Sequence, residues 1–121
     1  MNIEALFEYY NWVVVGDVTN ESKYANKILN TLKREKYNVI GIDPRGDGKA
    51  SFIDLKSSNF NIDVIDLCIN PKLGLEILKE ARQLNIDKVL IQPGAESDEI
   101  VEFCKQNNIK FIKGCVLQQL G

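Results

Sequence analysis

The feature that most constrains the fold of this chain is a short apolar segment that runs through a glycine into an amphipathic helix. Trp12 to Val15 are all apolar, and Gly16 follows directly. Apolar residues then recur at helical spacing, at Ala25, Ile28, Leu29 and Leu32. A buried strand that turns into a helix brings backbone N–H groups and the positive end of a helix dipole together. The segment therefore predicts the first βαβ unit of a sheet that binds a phosphate-bearing ligand.

The rest of the chain repeats this alternation of strands and helices. We predict strands at residues 12–16, 37–42, 64–69, 87–91 and 109–112. We predict helices over residues 21–35 and 71–84, a further helix from Ser97, and a short one over 3–10 that caps one edge of the sheet. Residues 46–61 are predicted as a loop with one short strand and a turn. The pattern indicates an α/β fold with a doubly wound, mostly parallel five- or six-stranded sheet and helices on both faces.

Local signals mark where the helices begin. Asn20 or Ser22 is the expected N-cap of the first long helix. Asn70 precedes Pro71, which is typical of a cap followed by proline at the first helical position. Acidic residues after Ser97 suit the positive end of the third helix.

Composition excludes several classes of protein. With 121 residues, 45% of them hydrophobic and 26% charged, we expect a single globular domain over 1–121. The net charge of −2 gives no electrostatic case for a nucleic acid or a membrane as partner. No basic leader or apolar span is evident in the sequence. Three cysteines without a CxxC pair predict a reducing, cytoplasmic location and no metal site.

The chain contains no histidine. This excludes Ser-His-Asp and Cys-His arrangements, and it removes the usual imidazole acid or base. We interpret Asp63 and Asp66 as polar residues at a strand boundary rather than as an acid–base pair. Cys115, two residues after Lys113, is a candidate reactive thiol, although free cysteines are more often small buried hydrophobic residues. We therefore predict no catalytic residue.

Ligands of such sheets lie beyond the carboxyl ends of the strands, where the winding reverses. The residues predicted to arrive there are Gly16, Asp17, Val18, Asp43, Pro44, Arg45, Cys68, Ile69, Asn70, Gln92 and Gly94. Gly16 has a second interpretation, as a glycine that only a tight strand-to-helix turn requires. Lys23, early in the first long helix, would reach a phosphate as a point charge or remain solvated.

Two common nucleotide-binding motifs are absent from the sequence. A GxGxxG motif that begins at Gly16 would need glycines at the positions of Val18 and Glu21. Asp43, at the end of the second predicted strand, is where an acid would bind the ribose of NAD, so one element of that fingerprint remains. The spacing from Gly41 to Gly46 fits a phosphate loop, but the required Lys-Ser/Thr pair does not follow.

Several landmarks together resemble the small stand-alone CoA-binding domain family, which is Rossmann-like and similar to the CoA-binding domain of succinyl-CoA synthetase alpha subunits. The landmarks are Val13-Val14-Val15-Gly16, Lys23, Tyr37-Asn38-Val39-Ile40, Asp43-Pro44, Ile62-Asp63-Val64-Ile65-Asp66, Ile91-Gln92-Pro93-Gly94 and Gly114-Cys115. The likeness covers nearly the whole chain, from about Ile3 to Gln119.

The resemblance implies positions for the parts of CoA. The turn from Gly16 to Val18 would receive the pyrophosphate, and Lys23 stands where relatives often have a basic residue. The segment from Asp43 to Arg45 would lie near the adenosine and its 3′-phosphate. Cys68 to Asn70 and Gln92 to Gly94 would line the cleft.

The chain also departs from the family pattern. Relatives commonly have Gly-Ala-Ser where this chain has Gly16-Asp17-Val18, so Asp17 brings a negative charge toward a phosphate site. Ala25 replaces a serine, Ile69 and Gly114 replace arginines, and Val116 replaces a proline. The expected function is non-catalytic binding of CoA or an acyl-CoA. Binding of NAD or another adenine nucleotide is one alternative, and a ligand-free domain that binds a protein partner or a second copy of itself is another.

Overall fold

The computed structural model describes residues 1–46, 49–50 and 52–121, and in this part of the chain five parallel strands form one sheet. The strands are β1 (Asn11–Gly16), β2 (Asn38–Ile42), β3 (Val64–Cys68), β4 (Lys88–Ile91) and β5 (Lys110–Lys113). Their spatial order is β2-β1-β3-β4-β5, and every neighbouring pair is parallel. The predicted doubly wound α/β fold is confirmed.

Helices cover both faces of the sheet. They are α1 (Ile3–Leu6), α2 (Tyr24–Arg34), α3 (Pro71–Gln83), α4 (Asp98–Gln106) and α5 (Val116–Gln119), with a 3₁₀ turn at Leu55–Ser57. Buried residues of α1, α2 and α5 belong to one hydrophobic core, whereas those of α3 and α4 belong to the other. Within the described ranges, no helix has the length and apolar character needed to cross a membrane.

Strand β1 separates these two cores. Its side chains alternate between the faces, so that Trp12 and Val14 pack toward α2 while Val13 and Val15 pack toward α3 and α4. All four side chains are completely buried. This explains why Trp12 to Val15 are all apolar instead of alternating between apolar and polar residues.

The winding of the chain reverses between β1 and β3. The helix after β1 covers one face and the helix after β3 covers the other, although the two strands are neighbours. Gly16 and Cys68 are register partners at the carboxyl ends of these strands. A crevice at this point is where ligands bind in open α/β sheets.

The start of α2 differs from our prediction. The helix begins at Tyr24, and Lys23 is its N-cap without a side-chain cap hydrogen bond. Asn20 Oδ1 instead accepts hydrogen bonds from the backbone N and the hydroxyl of Ser22. The two expected cap residues therefore bond to each other in a local turn, which delays the helix.

The N-terminal helix is also shorter than predicted and lies elsewhere. It ends at Leu6, which is completely buried, and it packs near β4 rather than at an edge of the sheet. The following residues are held in place because the Tyr37 hydroxyl donates to the carbonyl of Phe7 (2.6 Å) and the Trp12 indole donates to that of Tyr9 (2.9 Å).

The long connection after β2 contains the 3₁₀ turn, and its described residues form no strand. The short strand predicted within 46–61 falls partly on Asp47, Gly48 and Ser51, which lie outside the described residues. Helix α5 has no counterpart in the prediction. The N-cap of α3 is Asn70 and that of α4 is Ser97, as predicted.

Candidate functional site

The carboxyl edge of the sheet collects all the segments predicted to form a binding site. The strand-to-helix turn after β1 lies between the connection after β2 and the end of β3, and the turn after β4 comes next. Asp17 and Arg45, which are far apart in sequence, form an ion pair of 2.8 Å here. The sheet order therefore brings together the segments that the sequence placed at one site.

Gly16 is required by the packing of the protein itself. A Cβ atom at this position would lie 2.2 Å from the carbonyl oxygen of Cys68 on β3 and 3.0 Å from the Cβ of Ala25 on α2. Two strands and a helix therefore meet at Gly16 with no room for a side chain. Packing alone therefore explains why residue 16 is a glycine, whether or not it also contacts a ligand.

The N-terminus of α2 is suited to an anion. Its N-cap supplies no side-chain hydrogen bond, whereas the side chains of Asn70 and Ser97 cap α3 and α4. The first backbone N–H groups of a helix have no partner within the helix, and they coincide with the positive end of its dipole. A phosphate group at this position would supply the missing acceptor. Lys23 is exposed at the same place.

The turn before α2 is held from both sides. Val18 N donates to the carbonyl of Gly16 (2.9 Å), and the side-chain amide of Asn26 donates to the carbonyl of Val18 (2.8 Å). The side chain of Val18 is buried against Gly41, where a Cβ atom would lie 2.8 Å from it. Val18 thus shapes the turn, and its backbone N–H is already used.

A small cavity adjoins this turn. Its volume is about 220 Å³, and its lining includes Val18, Thr19, Gly41, Lys49 and Phe52. Sites for drug-sized ligands usually enclose roughly 300–1,000 Å³. The cavity therefore admits only part of a nucleotide.

Arg45 connects the turns after β1 and β2 by binding two carboxylates. Its Nη2 lies 2.8 Å from Asp17 Oδ1 and 2.6 Å from Asp43 Oδ2, and its Nε donates to Asp43 Oδ1 at 2.9 Å. The hydrogen bond from Arg45 lowers the pKa of Asp43 below its usual value, although burial acts in the opposite direction. Asp43 is therefore an ionised carboxylate at neutral pH.

The ion pair with Arg45 leaves Asp43 poorly placed for the ribose-binding role expected from the sequence. Both of its oxygens accept hydrogen bonds from Arg45, and its side chain has no exposed surface. The ribose-binding position that we predicted for Asp43 is therefore occupied by an internal ion pair. Asp17, whose side chain is 22% exposed, is the carboxylate of this group that a ligand can reach. Pro44, between the ion-paired residues, is half-buried.

Asp66 is the residue whose position the sequence analysis misjudged. It lies at the centre of β3 rather than at a strand boundary, and it is completely buried. Its Oδ1 accepts a hydrogen bond from the Gln92 side-chain amide, while Oδ2 has no hydrogen-bond partner in the described part of the chain. Burial raises the pKa of Asp66 to about 7, and the Gln92 hydrogen bond opposes this shift. The sequence did contain a signal of this burial, because Asp66 has apolar neighbours on both sides within a predicted strand.

The remaining predicted residues occupy different positions at the edge. Gln92 is buried and its side-chain amide donates to Asp66, so this side chain is engaged inside the protein. Gly94 is exposed with a φ of +91°, which favours glycine. Asn70 is exposed and caps α3 through a hydrogen bond of 3.0 Å from Leu73 N, and Ile69 is half-buried.

The family model described as "CoA binding domain" matches residues 10–120. The chain belongs to this family. A conserved hypothetical protein from Pyrococcus furiosus is 30% identical, with a TM-score of 0.81, over 92% of this chain and 99% of the other. No curated protein sequence matches the chain significantly.

Two more solved structures share the fold of this CoA-binding domain at lower identity. A hypothetical protein from Pyrococcus horikoshii OT3 is 21% identical, with a TM-score of 0.84, over 96% of this chain and 84% of the other. A Thermus thermophilus protein is 20% identical, with a TM-score of 0.82, over the full length of both chains. These two matches show the fold alone.

Two of the three thiols of this CoA-binding domain are poorly ionised. Burial raises the pKa of Cys68 to about 12, and Asp66 and Cys115 add to the shift. Burial also raises the pKa of Cys104 to about 11. Cys115 is half-buried and is the N-cap of α5. Because the thiolate is the reactive form, Cys68 and Cys104 are unsuited to nucleophilic chemistry at neutral pH.

Proposed function

We propose that this CoA-binding domain binds CoA or an acyl-CoA at the carboxyl edge of its sheet without catalysing a reaction. The observation that carries the proposal is membership of the family over residues 10–120. The strand order supports it, because the carboxyl ends of β1 and β3, where Gly16 and Cys68 are register partners, lie where the winding reverses.

The pyrophosphate of the ligand is assigned to the N-terminus of α2. The uncapped first turn of this helix supplies N–H donors, and Lys23 adds a positive charge that a diphosphate would attract. The backbones of 68–70 and 92–94 would form the opposite wall of the cleft. The cavity beside Val18 would receive only part of the ligand, because its volume is about 220 Å³.

CoA is favoured over NAD by the state of Asp43. NAD binding in Rossmann folds uses an acid at the end of the second strand to accept hydrogen bonds from the ribose. Here that carboxylate is buried and bonded to Arg45 through both oxygens. A ligand that does not depend on this acid fits the site better.

A passive role is supported by the chemistry of the available groups. The chain has no histidine, and burial raises the pKa of the Cys68 thiol at the edge of the cleft to about 12. Asp66, whose pKa is near neutrality, has no exposed surface through which a substrate would approach it. The groups that reach the cleft are suited to holding a ligand.

Calorimetric titration of the purified protein with CoA, NAD and ATP tests the proposal. We expect CoA to bind most tightly, and Lys23→Ala to weaken CoA binding by about tenfold or less, as expected for one partly exposed charge contact. Lys105→Ala, which removes an exposed lysine from α4, is the matched control and should leave the affinity unchanged. Tighter binding of NAD would support the dinucleotide alternative. Absence of binding to all three would support a domain that works through a protein partner.

A further inference from the structure

We propose that the open edge of β5 binds an extended, acidic segment of a partner protein, which would add a further strand to the sheet. This surface runs along the side of the sheet, away from the carboxyl ends of β1 and β3. The inference therefore goes beyond the proposed function and does not depend on it. Its basis is the edge strand Lys110–Lys113 together with the cavity beside it.

The backbone of β5 is hydrogen-bonded to the sheet on one side only, because β5 is the last strand in the spatial order. The N–H group of Lys110 donates to the carbonyl of Asp87 (2.8 Å), next to the register pair of Lys110 with Lys88 on β4. In a parallel ladder every second residue bonds to a given neighbour, so the N–H groups of Phe111 and Lys113 face away from β4. None of the described residues accepts a hydrogen bond from either group. Such an edge is a template for another strand.

The side chains along this edge are apolar in the middle and basic at both ends. Phe111 and Ile112 are half-buried, while Lys110 and Lys113 are exposed. Phe111 packs against one core and Ile112 against the other, so each face of the sheet has one apolar residue and one lysine at this edge. Among the described residues, no carboxylate forms an ion pair with either lysine.

A cavity of about 490 Å³ adjoins the same strand. Its lining includes Met1, Cys104, Ile109 and Phe111, together with the exposed Lys105. None of the described residues that line it is acidic. The cavity therefore offers an apolar surface to the side chains of an added strand, and Lys105 adds a further positive charge.

The charges determine which occupant fits this edge. A second copy of β5 would bring its own two lysines close to Lys110 and Lys113, and like charges across a strand pair repel each other. Acidic side chains at those positions would instead form cross-strand pairs with the lysines, while main-chain hydrogen bonds to Phe111 and Lys113 would hold the segment. A segment with two apolar residues between two acidic ones complements the edge in either strand direction.

Amide hydrogen exchange followed by NMR tests the proposal, with the capped peptide Thr-Glu-Val-Val-Glu-Thr as the probe. We expect this peptide to slow exchange at Phe111 and Lys113 about threefold or more once most of the protein is bound. Exchange at Lys110, whose amide already bonds to Asp87, should change little. The matched peptide Thr-Lys-Val-Val-Lys-Thr should bind about fivefold more weakly at low salt, with a smaller difference at high salt.

Lys110→Gln combined with Lys113→Gln should largely remove the difference between the two peptides. Lys56→Gln combined with Lys72→Gln makes the same change in net charge at exposed lysines elsewhere and should keep that difference. The proposal is overturned if millimolar glutamate peptide leaves exchange at Phe111 and Lys113 unchanged, or if both peptides bind equally at low salt. Protection that grows with protein concentration in the absence of peptide would show that a second copy occupies the edge, and it would overturn the acidic partner.

Discussion

The carboxyl group of Asp66 accepts a hydrogen bond from the side-chain amide of Gln92 across the β3–β4 pair. Both side chains are buried, and the other oxygen of Asp66 has no partner among the described residues. A charged carboxylate with a single neutral donor is costly in such a place, because burial removes its hydration. This is why the pKa of Asp66 rises to about 7.

The stability of the protein should therefore depend on pH through Asp66. Between about pH 4 and 7, native Asp66 retains a proton that the unfolded chain has released. The free energy of unfolding should fall as the pH rises through this window, by at most about 1.4 kcal/mol per pH unit, and level off above it. Urea denaturation at a series of pH values measures this slope.

Asp66→Asn should remove this pH dependence and make the protein more stable than the parent at pH 8. The Asn side chain is neutral and of similar shape, and the Gln92 amide can rotate to pair with it. Asp63→Asn is the control, because Asp63 is half-buried and accepts a hydrogen bond from the backbone of Asn11. If Asp66→Asn and the parent had equal slopes, Asp66 would not be the titrating group.

A second prediction concerns Gly16. Gly16→Ala should lower the free energy of unfolding by about 1–3 kcal/mol or more, because the added methyl group would press on a backbone carbonyl that cannot easily move. Gly46→Ala is the control, since no atom of the described residues, its chain neighbours aside, lies within 4 Å of the added Cβ. Gly46→Ala should lower the free energy of unfolding only through the strain of its positive φ. A Gly16→Ala protein as stable as the parent would mean that β1 and β3 separate easily at this end.

Much of the fold could be predicted because the strands are buried on both faces. Trp12 to Val15 are all apolar for that reason, and Val64 to Leu67 are apolar except for Asp66. The segments between such strands have apolar residues at helical spacing. The start of α2 could not be predicted from composition. Asn20 and Ser22 are good cap residues in general, but here they bond to each other, and only the three-dimensional structure determines which hydrogen bond forms.

The candidate site was predicted at the level of segments rather than of contacts. Parallel strands bring their carboxyl ends to one edge, which is why the residues after β1, β2, β3 and β4 were correctly placed together. The pairing of Arg45 with Asp17 joins residues 28 positions apart, and it depends on side-chain directions that a sequence pattern does not contain. The same holds for the Asp66–Gln92 hydrogen bond.

A third prediction tests the buried contact between Arg45 and Asp43. Arg45→Ala would leave the carboxylate of Asp43 buried without its main donors, so we expect a loss of about 1–3 kcal/mol in the free energy of unfolding at neutral pH. Asp43→Asn added to this variant should recover part of the loss. Asp17→Asn, which breaks only the exposed ion pair, should cost less than about 1 kcal/mol.

The sign of the pH effect provides a second measure of the same contact. Because Arg45 lowers the pKa of Asp43, the stabilising contribution is present above the ordinary carboxyl pKa and is lost as the pH falls below about 4. The parent should lose this contribution in acid, while Arg45→Ala should have little of it to lose. Parallel acid denaturation of the two proteins would contradict the assignment.

The last prediction concerns the thiols. Burial raises the pKa of Cys68 to about 12 and that of Cys104 to about 11, so neither should react with iodoacetamide in the folded protein at neutral pH. Cys115 is half-buried and should react first, but slowly, because its partial burial limits access to the thiol. Peptide mapping by mass spectrometry gives the order of modification, and Cys115→Ser should remove the earliest adduct.

The same thiols decide whether binding is passive. Oxidised CoA could exchange with a protein thiolate, which would attack the CoA disulfide, form a protein–CoA disulfide and release one CoA as a thiol. We expect no stoichiometric adduct at neutral pH, because Cys68, at the edge of the cleft, is almost entirely protonated. Mass spectrometry of the intact protein after treatment with oxidised CoA measures this directly, with Cys115→Ser as the matched variant. A single adduct confined to Cys115 would show that the domain captures its ligand covalently, and it would replace the passive function proposed above.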